Sequence, residues 1–201
     1  MTLEKYKDAL KGKLVLLNAP KSAGKDTIAN RIIELTGCKK GQFKDHLYLL
    51  TAAVFNVDYD EFVKVAMDTK RKEEKIPALG NLSPREALIM VSEKCIKPVL
   101  GKEYFGNIEA MKLRSRIGEG VVYADCGFIE EVHPLIGIAK PENTFVIKFT
   151  RKGCESFAGD SRNWLPEING VRLLITANNS TVDELAVRIL EFVLRDGKPL
   201  H

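Results

Sequence analysis

The chain has 201 residues, 45% hydrophobic and 29% charged, with 31 Lys and Arg against 27 Asp and Glu for a formal net charge of +4. These proportions exclude a disordered or fibrous protein and allow one ordinary domain carrying a small lid or insertion, not two large ones. The mild basic excess is too small for a protein that neutralises many duplex phosphates, so no nucleic-acid polymer is expected as partner; it suits a site receiving one or two small anions.

The first element is a continuous apolar run at residues 13–18 that stops at a Pro/Ser/Gly turn, the pattern of a strand covered on both faces. In residues 26–35, Ile28, Ala29, Ile32, Ile33 and Leu35 recur at helical spacing, and Gly37 follows as a C-cap. Residues 42–67 read as helical with a break at 56–58, and the charged stretch 68–75 as a mobile loop. Ser83-Pro84-Arg85-Glu86 announces a further helix: Ser83 caps, Pro84 takes the first position, and Glu86 completes a capping box. That helix is expected to end near Lys97, before Pro98. Another covers about 105–117, closed by Gly118 and Gly120. Strands follow at 121–124, 145–149 and 173–176, and a last helix at 182–194. Alternating strands and helices predict an α/β fold with a mostly parallel sheet flanked by helices.

No apolar run approaches the 18 or more residues of a membrane span. Residues 1–13 intersperse charges among apolar residues, unlike a signal peptide, so a cytoplasmic protein is expected. The four cysteines, Cys38, Cys95, Cys126 and Cys154, form no C-x-x-C pair and read as reduced structural thiols, with a Cys126–His133 catalytic pair as the alternative.

Between the first strand and helix lies Ala19-Pro20-Lys21-Ser22-Ala23-Gly24-Lys25-Asp26-Thr27. A phosphate-binding loop needs backbone N–H groups curled around an anion, a glycine where side chains would collide with it, a lysine for the outer phosphates and a hydroxyl for Mg²⁺. Lys21, Ser22, Ala23, Gly24 and Lys25 can supply the cradle, Lys25 the cation and Thr27 the metal ligand. The helix starting near Lys25 adds the positive end of its dipole. Ala19 replaces the leading glycine of the plain pattern, and Asp26 delays the hydroxyl by one residue. Asp26 either acts on the acceptor or metal side or is simply a favourable acid in the first helical turn.

This loop resembles that of the bacteriophage deoxynucleoside monophosphate kinases, which typically ends Gly-Lys-Asp-Thr. Shorter matches follow in order: Phe43-Lys44-Asp45, Ser83 to Leu88, Val121 to Asp125, Phe149-Thr150-Arg151, Asp160-Ser161, Leu174 to Asn178 and Asp183-Glu184-Leu185. The resemblance covers about residues 13–194. It implies a P-loop NTPase fold comprising one kinase domain over 1–201, with a P-loop unit at 13–37, a helical acceptor-binding insertion at 42–117 and a mobile lid at 151–166. It further implies transfer of the γ-phosphoryl group of ATP to a deoxynucleoside monophosphate with Mg²⁺, in the host cytoplasm if the chain is of phage origin. A homodimer is compatible with such folds. Family members often carry Asp-x-Arg where this chain reads Asp125-Cys126-Gly127, so Gly127 stands where that arginine would be.

Phosphoryl transfer requires positioning and positive charge more than covalent help. Lys25, Arg85, Arg151 and Asp125 are the catalytic candidates. Asp125, ending a buried strand, can hold Mg²⁺ through water or bind the acceptor. For the acceptor phosphate, Arg85 at a helix start is the first choice, with Arg71 and Lys44 next and Asp45 beside them; Arg71 and Arg85 can equally be solvated surface arginines. Arg151, Lys152 and Arg162 fall in the expected lid, and Arg151, Arg162 or Arg114 can compensate for Gly127. Trp164 either stacks on a base or anchors a loop. The alternatives are another small-molecule kinase, resembling dephospho-coenzyme A kinase, or an ATP-binding module without catalysis.

Overall fold

The computed structural model describes residues 3–68, 70–158 and 162–198, which form two compact units: residues 1–42 with 109–201, and residues 43–108. In the first unit β1 (Leu14–Asn18) is buried along its whole length. Burial on both faces is possible because β1 lies in the middle of a five-stranded parallel sheet, between β3 (Val121–Tyr123) and β4 (Thr144–Thr150). The edges are β2 (Lys39–Gly41), paired with β3, and β5 (Arg172–Ala177), paired with β4.

Side chains alternate across β1. Val15 and Leu17 enter a core with Ile28 and Ile32 of α1 (Lys25–Thr36) and Leu185 and Ile189 of α8 (Val182–Leu194), which places both helices on one face. The chain leaves β1 toward β2 on one side and leaves β3 toward β4 on the other. Right-handed crossovers then put α1 and α7 (Ile129–Ala139) on opposite faces. The loops after β1 and β3 therefore diverge at the carboxyl edge between two adjacent strands, the crevice where open parallel sheets bind ligands.

The strand β2 escapes the sequence pattern, since Lys39-Lys40-Gly41 has no apolar residue. It exists because Lys39 N–H donates to the Gly120 carbonyl (2.9 Å) and because Gly41 lies under the Tyr123 ring, where any Cβ would overlap ring carbons.

The second unit is helical: α2 (Lys44–Phe55), α3 (Tyr59–Met67), α4 (Pro84–Met90) and α5 (Lys97–Leu100), with the start of α6 (Tyr104–Arg116). Its core holds Tyr48, Ala52, Phe62, Ala66, Leu79 and Ala87. The break at 56–58 is an Asn56 cap in the left-handed conformation followed by Asp58, which caps α3 through Glu61 N–H. The expected loop at 68–75 contains a 3₁₀ turn, Arg71–Glu73. The helix from Ser83 does not end at Lys97. It passes through a π-helical stretch, Val91–Ile96, and resumes to Leu100, because the register change leaves Pro98 in the first turn of a new segment, where its missing N–H costs little.

The Ser83 capping box forms as read from the sequence: Ser83 Oγ accepts from Glu86 N–H, and Glu86 accepts from Ser83 N–H. A hydrogen bond from Lys75, then the Ser83 N–H, pulls the Glu86 carboxyl down from 4.5 to about 2. Its folded value lies below its unfolded one, so this contribution to stability is present above pH 4.5 and lost as pH falls toward 2. The pair is exposed, which keeps the amplitude small. In thermal melts the gap between the wild type and Glu86→Gln is expected to close over that window; a gap independent of pH overturns the assignment.

Among the described residues, no helix is long and apolar enough to cross a membrane.

Candidate functional site

In the first unit the turn after β1 is shaped by backbone preferences. Ala19 and Ala23 are fully buried, Ser22 adopts a left-handed φ of 64°, and Gly24 reaches φ 97° immediately before α1. With glycine at that position no side chain caps the helix, and the first-turn amides of α1 face the turn. Lys25 is buried to 7% exposure, and its Nζ donates to the carbonyls of Ala19 (2.6 Å) and Pro20 (2.7 Å). The ammonium thus lies against the inner side of the turn. Lys21, Ser22, Asp26 and Thr27 are exposed. The Asp26 carboxylate, in the first turn of α1, meets Lys40 of β2 at 3.4 Å, an exposed pair.

A strut not read from the sequence as functional braces this turn. Asn178, just past β5, donates its N–H to Thr150 O (2.7 Å) and its Nδ2 to Ala23 O (2.8 Å). A Cβ on Gly24 would approach Asn178 Nδ2 to 3.0 Å, so the glycine serves both the backbone conformation and the brace.

Beyond β3 the chain runs Asp125-Cys126-Gly127 along the same sheet edge. Cys126 is buried and its Sγ donates to Leu17 O (3.1 Å). Burial, then the Asp125 charge, pushes the thiol well above its ordinary range, while the positive charges of Lys25 and Arg162 oppose the shift. His133 is exposed on α7, so the alternative of a Cys126–His133 nucleophile gives way to a structural thiol held neutral by burial.

Part of the expected lid is tied to this edge. Asn163 N–H donates to Gly127 O (3.1 Å), and Leu165, itself buried, donates its N–H to Asn18 Oδ1 (2.9 Å). Asn18, buried at the end of β1, also gives Nδ2 to Asn163 O (3.1 Å) and more distantly to Cys126 O (3.4 Å). Trp164 packs edge-on against Phe157 of the same segment at 5.0 Å between centroids. Arg151 directly follows β4, exposed, in a tight turn closed by Cys154 N–H to Arg151 O at 2.7 Å. Gly159, Asp160 and Ser161 of the expected lid lie outside the described residues.

In the second unit, Arg85 opens α4 and pairs with Glu73 at 3.6 Å, while Arg71 of the same 3₁₀ turn approaches Glu74 at 3.9 Å. The structure thus brings the two arginines chosen for the acceptor to neighbouring elements, each beside a carboxylate. Lys44 and Asp45 form the first turn of α2.

The donor set suits a phosphate chain with Mg²⁺. A buried ammonium and uncapped helix amides offer only donors to an anion, and Thr27 offers an exposed hydroxyl. Mg²⁺ usually takes few protein ligands and completes its shell with phosphate oxygens and water, so a dense carboxylate cluster is not required. Comparison with known proteins finds no family model and no curated protein that matches the chain.

Proposed function

We propose that the protein is a P-loop nucleotide kinase that transfers the γ-phosphoryl group of ATP to a deoxynucleoside monophosphate, giving ADP and the diphosphate. The observation that carries this reading is the turn at residues 19–24, set between the central strand of a parallel sheet and a helix N-terminus, with Lys25 buried against it. Lys25 exchanges its two carbonyl acceptors for β- and γ-phosphate oxygens, and the first-turn amides of α1 receive the phosphates between them. Thr27 Oγ1, with Asp125 through water, would hold Mg²⁺, which supplies charge neutralisation at the transferring group. Arg85, with Arg71, Lys44 and Asp45 as its companions, orients the acceptor phosphate; Arg85 gives up Glu73 to do so. Arg151 and Arg162 add positive charge around the equatorial oxygens, and Trp164 with its loop helps exclude water.

A coupled assay of ADP release, with ATP, Mg²⁺ and each of dAMP, dGMP, dCMP and dTMP separately, tests the proposal. Acceptor-dependent turnover with at least one is the expected result. Silence with all four sinks it; turnover with dephospho-coenzyme A instead would move the chain to another class of small-molecule kinase.

A further inference from the structure

Arg162 arrives at the sheet edge from a segment far along the chain, and two residues of that edge are shaped for it. At Gly127 a Cβ would fall 2.5 Å from Arg162 Cβ, 2.7 Å from its Cγ and 2.9 Å from its Cδ. The arginine stem therefore occupies the volume that any other residue at 127 would fill with its own side chain. The glycine is not there for backbone conformation, because it is absent from the glycines with positive φ. The next residue along, Asn163, is fixed from both sides: its N–H by Gly127 O and its carbonyl by Asn18 Nδ2. Asn18 then holds Leu165 N–H as well, so one buried amide at the end of β1 binds the segment on either side of Trp164. Buried amides with several good partners fix local geometry strongly, since losing one leaves a desolvated group unsatisfied.

We propose that Asn18 and Gly127 are positioning residues which hold the Arg162 stem at the sheet edge where β1 and β3 end, and so present it as the arginine that stabilises the transferring phosphoryl group. This rests on the phosphate-transfer reading of the loop. The arrangement delivers by tertiary contact a guanidinium that Asp125-Cys126-Gly127 does not encode locally. That the Cys126 thiol feels Lys25, Asp125 and Arg162 together agrees with this placement. Because Arg162 stands against a rigid strand end, its charge is pre-organised rather than recruited from solvent.

The test uses the full chain with Gly127→Ala, Arg162→Gly, the double variant and Asn18→Asp. Gly127→Ala keeps every charge yet displaces the stem, so kcat is expected to fall on the order of 100-fold with KM for ATP changed by less than about threefold. Arg162→Gly loses about as much, and the double variant loses no more than either single one. Free guanidinium ion at non-denaturing concentration restores part of the Arg162→Gly activity. Asn18→Asp, which turns a donor amide into a carboxylate facing two carbonyls, reproduces the loss in kcat. In melts of the nucleotide-free, metal-free protein, Gly127→Ala lowers the midpoint and adding Arg162→Gly recovers part of it, because the overlapping Cβ is gone.

Full kcat in Gly127→Ala, multiplicative losses in the double variant, or melts without compensation overturn the proposal while the kinase reading stands. Should Gly127→Ala fail to fold, unchanged kcat in Arg162→Gly, or a loss that guanidinium does not repair, overturns it. A wild type without acceptor-dependent turnover overturns the kinase reading itself and the role of Arg162 with it.

Discussion

Lys25→Ala is expected to reduce acceptor-dependent ADP formation by at least on the order of 100- to 1,000-fold, the scale seen when one pre-organised charge or donor is removed from a developing anion. The physical basis is the cost of bringing phosphates into a turn whose ammonium is gone. Lys25 is 7% exposed and its Nζ donates to backbone carbonyls of the turn itself. A water that replaces it brings no charge. The alanine variant also strips two hydrogen bonds from the turn, so a loss of activity alone could report a collapsed loop. Lys25→Met loses the same two hydrogen bonds but keeps the aliphatic stem, so a melt run beside the assay shows that the protein is folded while turnover falls as far as in the alanine variant. Turnover retained in a folded Lys25→Met protein would remove the phosphate role from this residue.

The largest effect on stability is expected at Gly120→Ala. Gly120 stands at φ 79°, where an alanine is strained, and a Cβ built there falls on the Leu10 carbonyl oxygen. Its own carbonyl accepts the Lys39 N–H that starts β2, and its N–H donates to Ile117 O, so it cannot move without loosening the entry to both β2 and β3. Backbone strain and the forced displacement of the Leu10 segment together cost roughly 3 kcal/mol or more. For a chain of this length that is a drop of about 6–12 °C in Tm. With ψ at 145° the residue lies outside the left-handed helical region, in a conformation open essentially to glycine alone, so asparagine is no better tolerated there than alanine. Gly120→Asn is therefore expected to destabilise at least as much as Gly120→Ala; a Tm of either variant within about 2 °C of the wild type overturns this account.

Much of both units was legible because the signals are local. The apolar run ending at Asn18, the helical spacing of Ile28, Ile32 and Leu35 with Gly37 behind them, and the Ser83–Glu86 box each lie within a few residues, and each forms. Backbone sterics and capping act over one or two turns, so a single sequence carries them in full. The turn at 19–24 belongs to the same class: glycine in the left-handed region, then lysine, then helix. What escaped had no local signature. The strand β2 is two lysines and a glycine, paired only because Tyr123 and Gly120 are there to meet it. Continuation through Pro98 depended on a π-helical register change that no spacing announces.

The site divides along the same line. By itself the sequence determined a buried strand, a turn ending in a glycine of positive φ, a lysine and a helix N-terminus, because contiguous backbone preferences fix those. Only the tertiary structure decided that Asn178 braces the turn, that Cys126 is an inert buried thiol, and that the stem of Arg162 fills the space left open by Gly127 under the grip of Asn18. Those partners lie from 35 to more than 150 residues apart in the chain, and parallel sheet order, which brings distant strand ends to one edge, is what chose them.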